Sequence, residues 1–406
     1  MNFSNFAVIV ENWQHFGVDE DSDTIRNLCG AIACNYDVHI LSTNTKFGTN
    51  ESSESDHAFM DGVFTIHPIH GKNRPSWLKR EVLLSQLSNA ASQHDLDIQS
   101  LNVYEAFKHR ADLCATFSPE SIQSVLDKIG ASRILVIGGH NYPVIESIRK
   151  RNSRDLIYLV PQYSSLIKKA GLENSSLCVD SILLSDYVIV LSDEEKEWVE
   201  NILAASENTD RPKVVSLICP VSFNPIAASA KPLRLPAANY ILIFSDQSLD
   251  DPISPHLLAG GISLLGNGLP SVVVSGNSVI NYSGKTTWPG DEITSSVARW
   301  RLISHASLVV DLQKYSWTGR ATMEAMKASK AVVGLSPSVQ ASIINQANGG
   351  LWGQNLEEIV KACQFIISDS KKAHIFGQQG ANWVEKLPDL TDEAGLLSSL
   401  VKITLP

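Results

Sequence analysis

The sequence predicts two doubly wound α/β domains joined by a proline-rich linker. Short apolar runs alternate with helical patterns through most of the chain, the signature of βαβ units built on a parallel sheet. That alternation stops across Pro220–Ala238, PVSFNPIAASAKPLRLPAA, which holds four prolines and little periodicity. It restarts at Tyr240. These observations divide the chain into an N-terminal domain at 1–222, a linker at 223–238 and a C-terminal domain at 239–385. A tail at 386–406 is expected to pack back on the first domain.

In the first half, Phe6–Val10 reads as a strand, Ser22–Asn35 as an amphipathic helix and Asp37–Leu41 as the next strand. Strands follow at Arg133–Ile137, Leu156–Val160 and Asp186–Leu191, with helices at Pro143–Arg151 and Asp193–Ala204. Val214–Cys219 closes the series. In the second half, strands are expected at Tyr240–Phe244, Ser271–Val274, Leu308–Asp311 and Ala331–Gly334. Asn355–Asp369, NLEEIVKACQFIISD, carries apolar residues at helical spacing. No short tandem repeat suggests a solenoid. Doubly wound sheets bind ligands at the carboxyl ends of their strands, so the two domains are expected to face a cleft that holds the site.

Composition narrows the functional classes. Of 406 residues, 44% are hydrophobic and 19% charged, enough to bury sizeable cores. A formal net charge of −10 argues against general nucleic-acid binding, which needs cations to neutralise phosphates. The six cysteines form no Cys-x-x-Cys pair, and Cys29, Cys34, Cys178 and Cys219 lie in apolar stretches; buried free thiols are expected. The N-terminal MNFSNFAVIVENWQ has no basic residue before its apolar run, so it does not read as a secretory signal. No run approaches the roughly 18–20 apolar residues of a membrane span. A cytoplasmic protein is expected, with contact at the inner face of a membrane left open by amphipathic stretches such as Trp77–Leu87.

The most informative stretch is Tyr315–Gly334, YSWTGRATMEAMKASKAVVG. A strand at 308–312 ends in a loop containing Gly319, and a helix follows through Glu324 and Met326. A glycine there lets backbone N–H groups approach an anion, and the helix N-terminus adds its dipole. Glu324, one turn into that helix, suits two vicinal hydroxyls. The combination fits a diphosphate attached to a ribose.

This stretch resembles the C-terminal signature of the large retaining GT-B glycosyltransferase family, in which Glu-Gly-Phe-Gly and four residues precede Glu-Ala-Met. Gly319, Glu324, Ala325 and Met326 match, and Ala331–Val333 falls where the next strand belongs. The flanks ITSSVARWRLISHASLVVDL and NQANGGLWGQNLEEIVKACQFIISD are similar as well, so the likeness covers most of 239–385. The resemblance implies a GT-B fold of two Rossmann-like domains. It further implies that Glu324 binds the donor's ribose, and that Gly319, Arg320 and Ala321 hold the diphosphate or sugar.

Several usual side chains are missing. The family's first glutamate falls on Ser316, which offers the sugar a hydroxyl and no charge. Where the family places an Arg and a Lys, this chain has Phe244–Asp251, FSDQSLDD, leaving Ser245 and Asp246 as donor-side candidates. Losing a stabiliser of a leaving group costs about 3–4 kcal/mol. In the N-terminal half, Glu11–Gly17 replaces the usual Gly-Gly loop, which makes Gly17 an acceptor-side candidate. The family histidine falls near Pro161 or Gln162, and Gln162 is the second acceptor-side candidate. His140 in IGGHNYP, at a strand's carboxyl end, is the N-terminal catalytic candidate, paired with Ser316; the plain alternative is a turn histidine. Arg320 has as its alternative a solvated arginine at a helix start, and Lys285, Arg299 and Arg301 read as ordinary surface charges. His67-x-x-His70 lacks a third ligand nearby, so a loop is expected there, with no metal and no cofactor.

The expected partners are a nucleotide-sugar donor and a carbohydrate or lipid-linked acceptor, with a partner glycosyltransferase also open. Two functions follow: sugar transfer from a nucleotide diphosphate with retention of configuration, or a catalytically degenerate homologue that binds a glycan, a nucleotide or a partner.

Overall fold

The computed structural model describes residues 4–13, 20–44, 58–69, 119–139, 141–168, 173, 176–206, 211–217, 225–229, 240–245, 258, 271–275, 278–281, 286–288 and 296–387. The chain divides into two compact units, Met1–Gln14 with Ile32–Leu217, and His15–Ala31 with Ile218–Pro406. Candidates Gly17, His140, Asp246, His70 and Lys285, the Trp77–Leu87 stretch and nearly all of the 386–406 tail lie outside the described residues.

The first unit is built on eight strands: β1 (Ser4–Asn12), β2 (Tyr36–Asn44), β3 (Phe59–Asp61), β4 (Phe64–Pro68), β5 (Arg133–Ile137), β6 (Leu156–Val160), β7 (Tyr187–Val190) and β8 (Lys213–Ser216). Their order is β3-β4-β2-β1-β5-β6-β7-β8. Every pair is parallel except the β3–β4 hairpin at one edge. Strand β1 pairs Phe6 with Val38 and Ala7 with Ile134, and its residues Phe6–Val10 are buried. Such runs are apolar because both faces of a parallel sheet are covered. The helices are α1 (Glu20–Ala33, whose residues to Ala31 fall with the second unit), α2 (Pro119–Ile129), α3 (Tyr142–Arg151), α4 (Ser176–Leu183) and α5 (Asp193–Ala205).

The second unit holds α6 (Pro225–Ala228) and seven strands in the order β12-β11-β10-β9-β13-β14-β15. These are β9 (Tyr240–Ser245), β10 (Ser271–Ser275), β11 (Ser278–Asn281), β12 (Thr286–Trp288), β13 (Ala306–Asp311), β14 (Val332–Leu335) and β15 (Gly350–Gly353). Helices α7 (Ser296–His305), α8 (Arg320–Lys327), α9 (Val339–Ala347), α10 (Leu356–Ile367) and α11 (Ser370–Val384) complete it. Along β9, Tyr240, Leu242 and Phe244 enter one core while Ile241 and Ile243 enter the other, so alternate side chains seal both faces. The helix starts use side-chain caps: Ser338 accepts from the Ala341 N–H, Asn355 from Glu358 and Asp369 from Lys371 and Lys372.

Two expectations change. Cys34 is exposed, because it falls in the turn after α1 rather than on the helix's buried face, whereas Cys29, Cys178 and Cys363 are buried. Strand β15 was not anticipated in its glycine-rich stretch; a Cβ on Gly350 would stand 1.8 Å from the Val332 carbonyl oxygen, so the glycine lets the strands approach. Among the described residues, no helix is long and apolar enough to cross a membrane.

Candidate functional site

In the second unit the carboxyl end of β13 runs into a loop and then α8. Asp311, the strand's last residue, is completely buried and anchors this passage. It accepts from Thr322 Oγ1 at 2.8 Å, from the Gln313 N–H at 3.2 Å and from Gln340 Nε2 at 3.4 Å. Thr322 and Gln340 are themselves fully buried, so strand, loop, α8 and α9 are tied at one point. Helix α8 therefore begins at a fixed place beside the carboxyl ends of β9 and β13. The Leu312 N–H, donating to the Phe244 carbonyl at 2.8 Å, brings Ser245 close to the same loop.

Gly319 precedes α8 with φ 66° and ψ 32°. A Cβ there would stand 2.5 Å from Ile343 Cδ1, so both backbone and packing require glycine. The Gly319 N–H donates to Ser316 Oγ at 2.9 Å. Ser316, expected to face a sugar, thus also closes the turn. Between them, Trp317 is fully buried and its Nε1–H has no acceptor among the described residues.

Glu324 lies one turn along α8, with none of its side chain exposed. Arg299 grips it at two points, Nε to Oε2 at 2.6 Å and Nη2 to Oε1 at 2.8 Å. Oε1 also accepts from Arg320 Nε at 2.9 Å and from Trp300 Nε1 at 3.2 Å. Burial pushes the Glu324 carboxyl upward, but the charges and hydrogen bonds of Arg299 and Arg320 outweigh it and hold the group below its ordinary range. The reading of Arg299 as a surface charge and the solvated alternative for Arg320 are both corrected: their side chains are only 11% and 7% exposed. Arg301 donates instead to the Ala227 carbonyl at 3.2 Å and is partly buried. Ser245 is buried at the end of β9.

In the first unit the described candidate, Gln162, lies in the loop after β6, beside the glycines that follow β5. The Gly138 and Gly139 N–H groups donate to the carbonyls of Val160 and Pro161, at 2.8 and 2.9 Å. Asn141, fully buried, donates to the Ile137 carbonyl at 2.9 Å, and its Oδ1 has no partner among the described residues. Gln162 is held at φ 58°, a conformation uncommon outside glycine. The next residue, Tyr163, donates its N–H to Glu195 Oε1 at 2.8 Å, and the Leu191 N–H reaches Glu195 Oε2 at 2.7 Å. One wholly buried carboxylate therefore ties the loops after β6 and β7 together. Elsewhere, His67 sits on β4 rather than in a loop, with Nε2 3.0 Å from His39 Nδ1 on β2. Burial, with help from His39 and Lys128, lowers its pKa to about 4. Among the described residues no group of three or more His, Cys, Asp or Glu side chains is arranged to hold a metal ion.

The structure thus brings Ser245, Ser316, Gly319, Arg320, Ala321 and Glu324 together in the second unit, and Gln162 stands in the first. Trp300, Trp317, Asp311, Gln340 and Glu195 were not anticipated. An acid directly after the apolar run Leu308–Val310 was the signal available for Asp311; the others depend on packing between distant elements.

No protein-family model matches the chain, and no curated protein matches it by sequence. Solved structures do match over nearly its whole length. Sucrose-phosphate synthase from Thermosynechococcus elongatus is 14% identical with a TM-score of 0.66, covering 98% of both chains. An E. coli structure described as trehalose-6-phosphate bound with UDP-2-fluoro glucose is 12% identical with a TM-score of 0.59, covering 99% of this chain and 100% of the other. WaaG, a glycosyltransferase involved in lipopolysaccharide biosynthesis, is 10% identical with a TM-score of 0.56, covering 97% and 99%. The chain has the GT-B fold of these glycosyltransferases.

Proposed function

We propose that this chain is a glycosyltransferase that moves a sugar from a nucleotide-diphosphate donor to a glycan or lipid-linked acceptor, with retention. The observation that carries the reading is the passage from β13 through Gly319 into α8. A left-handed glycine there leads directly into a helix N-terminus beside two strand ends, an arrangement suited to a diphosphate. The GT-B fold, shared with a structure bound with UDP-2-fluoro glucose, supports the same class of donor.

In this reading Gly319, Arg320 and Ala321 cradle the diphosphate, with Ser245 and Asp246 beside it. Ser316 offers its hydroxyl to the transferred sugar. Gln162, His140 and Gly17 serve the acceptor. The leaving diphosphate takes the acceptor's proton on the face it departs from, so no protein nucleophile and no metal is needed; positioning and electrostatics supply the rate.

A degenerate, binding-only homologue is the second reading. It is favoured by one observation: Ser316 Oγ already accepts from the Gly319 N–H, and Glu324 is engaged by three side chains. The test is a panel of UDP-, GDP- and ADP-sugars followed by melting temperature and nucleotide release. Ligand at 100 times its Kd stabilises the folded state by about 2.7 kcal/mol. A shift together with release supports transfer. A shift with no release on any acceptor supports the second reading, and no shift with any donor removes both transfer and nucleotide binding, leaving only a glycan- or partner-binding homologue.

A further inference from the structure

We propose that Glu324 is a positioning residue, which braces α7 against α8 and sets Arg320 toward the phosphate end of the ligand, and that it does not read the ribose diol. This deepens the donor-binding reading above and rests on it. A carboxylate offers about four lone-pair sites. Oε1 takes Arg299 Nη2, Arg320 Nε and Trp300 Nε1, and Oε2 takes Arg299 Nε. Oε1 thus carries three donors against about two lone pairs and Oε2 carries one, and the side chain has no exposed surface, so the carboxylate is closed to a ligand by its burial and by the guanidinium across both oxygens.

A vicinal diol requires both oxygens and a path to them. Here Arg299, from the preceding helix, occupies both in the geometry a diol would use. Arg320 is the first residue of α8, directly after Gly319, and its Nε is fixed by the same carboxylate. The brace thus acts on the residue beside the proposed diphosphate cradle, while the ribose must be met by other groups.

Isothermal titration of the full chain tests this, using UDP, GDP and ADP with their 2′,3′-dideoxy counterparts, and inorganic pyrophosphate. If Glu324 is a brace, the ratio of ribo to dideoxy affinity is the same, within about twofold, in the wild type and in Glu324→Gln. Arg299→Lys, which keeps the charge but loses the two-point grip, then weakens nucleotide and pyrophosphate by the same factor. A direct diol contact instead makes that ratio fall by about tenfold or more in Glu324→Gln, the size expected for losing one charge-assisted hydrogen bond. That outcome overturns the proposal, as does pyrophosphate binding unchanged in Arg299→Lys. If no nucleotide binds the wild type, the donor reading fails and the brace is read from unfolding alone. The double variant Arg299→Lys/Glu324→Gln should then be no less stable than the worse single variant; additive losses overturn the brace.

Discussion

Arg299 and Glu324 form a two-point ion pair, with contacts of 2.6 and 2.8 Å, that fastens α7 to α8, the helix that Gly319 leads into. The carboxylate is fully buried and the guanidinium nearly so. A buried pair of this kind is a weak source of net stability but costs dearly when half of it is removed. Glu324→Ala leaves two buried guanidiniums without their counter-ion and should destabilise by about 3–5 kcal/mol. Thermal unfolding should show a melting temperature lower by about 6 °C or more. A shift within a degree of wild type would mean that the cluster bears no strain from the loss.

The same cluster sets an acid limit. Glu324 has a folded pKa held below its ordinary value of 4.5, so the unfolded chain binds its proton more readily. The stability it contributes is present above about pH 4.5 and is lost as pH falls through the lower folded value. Urea unfolding between pH 5 and pH 3 should therefore be steeper in the wild type than in Glu324→Gln. Equal slopes would remove Glu324 as a cause.

The burial of His67, beside His39, governs a different window. His67 is depressed from 6.5 to about 4, so the unfolded chain again binds the proton first. Its contribution is complete above pH 6.5 and declines toward pH 4. His67→Gln should flatten the fall in stability between pH 6.5 and 5, measured by urea unfolding. An unchanged profile would assign that fall to other groups.

How much of this was legible follows from what each feature depends on. Strands β5 and β6 fall where their apolar runs put them, because a strand covered on both faces leaves no other reading for Arg133–Ile137 or Leu156–Val160. The Gly319 turn was also legible, since a left-handed residue against Ile343 admits only glycine. The Glu324 cluster was not. Charged residues are ordinarily solvated, so Arg299 and Arg320 read as surface. Their burial follows from how α7 packs on α8, across a separation of 25 residues between Arg299 and Glu324 that periodicity does not encode. Glu195 escaped notice for a related reason: its spacing after Ser192 suggests a capping box, yet its carboxylate instead reaches the backbones of Leu191 and Tyr163.

Gly319→Ala tests the loop directly. The left-handed backbone alone costs a non-glycine residue about 1–2 kcal/mol. The added methyl must also displace Ile343 Cδ1, which would stand 2.5 Å away. The variant should melt lower and lose donor binding. Adding Ile343→Val removes that terminal methyl, so the double variant should recover part of the stability. No recovery would place the whole cost in the backbone.

Glu195→Gln separates the two units by function. Glu195 accepts the N–H groups of Tyr163 and Leu191 with its two oxygens, at 2.8 and 2.7 Å, and is fully buried. Glutamine has one carbonyl oxygen, so its amide nitrogen must face one of those N–H groups and a hydrogen bond to a charged acceptor is lost, about 1.5–3 kcal/mol. The damage is local to the loops after β6 and β7, where Gln162 is held at φ 58°. The proposed donor contacts belong to the other unit. The variant should therefore raise the acceptor KM by about tenfold or more while leaving the Kd for the donor nucleotide unchanged, and Glu195→Ala should do the same more severely. Equal losses in acceptor KM and donor affinity would show that Glu195 acts on the fold as a whole and not on the loop that carries Gln162.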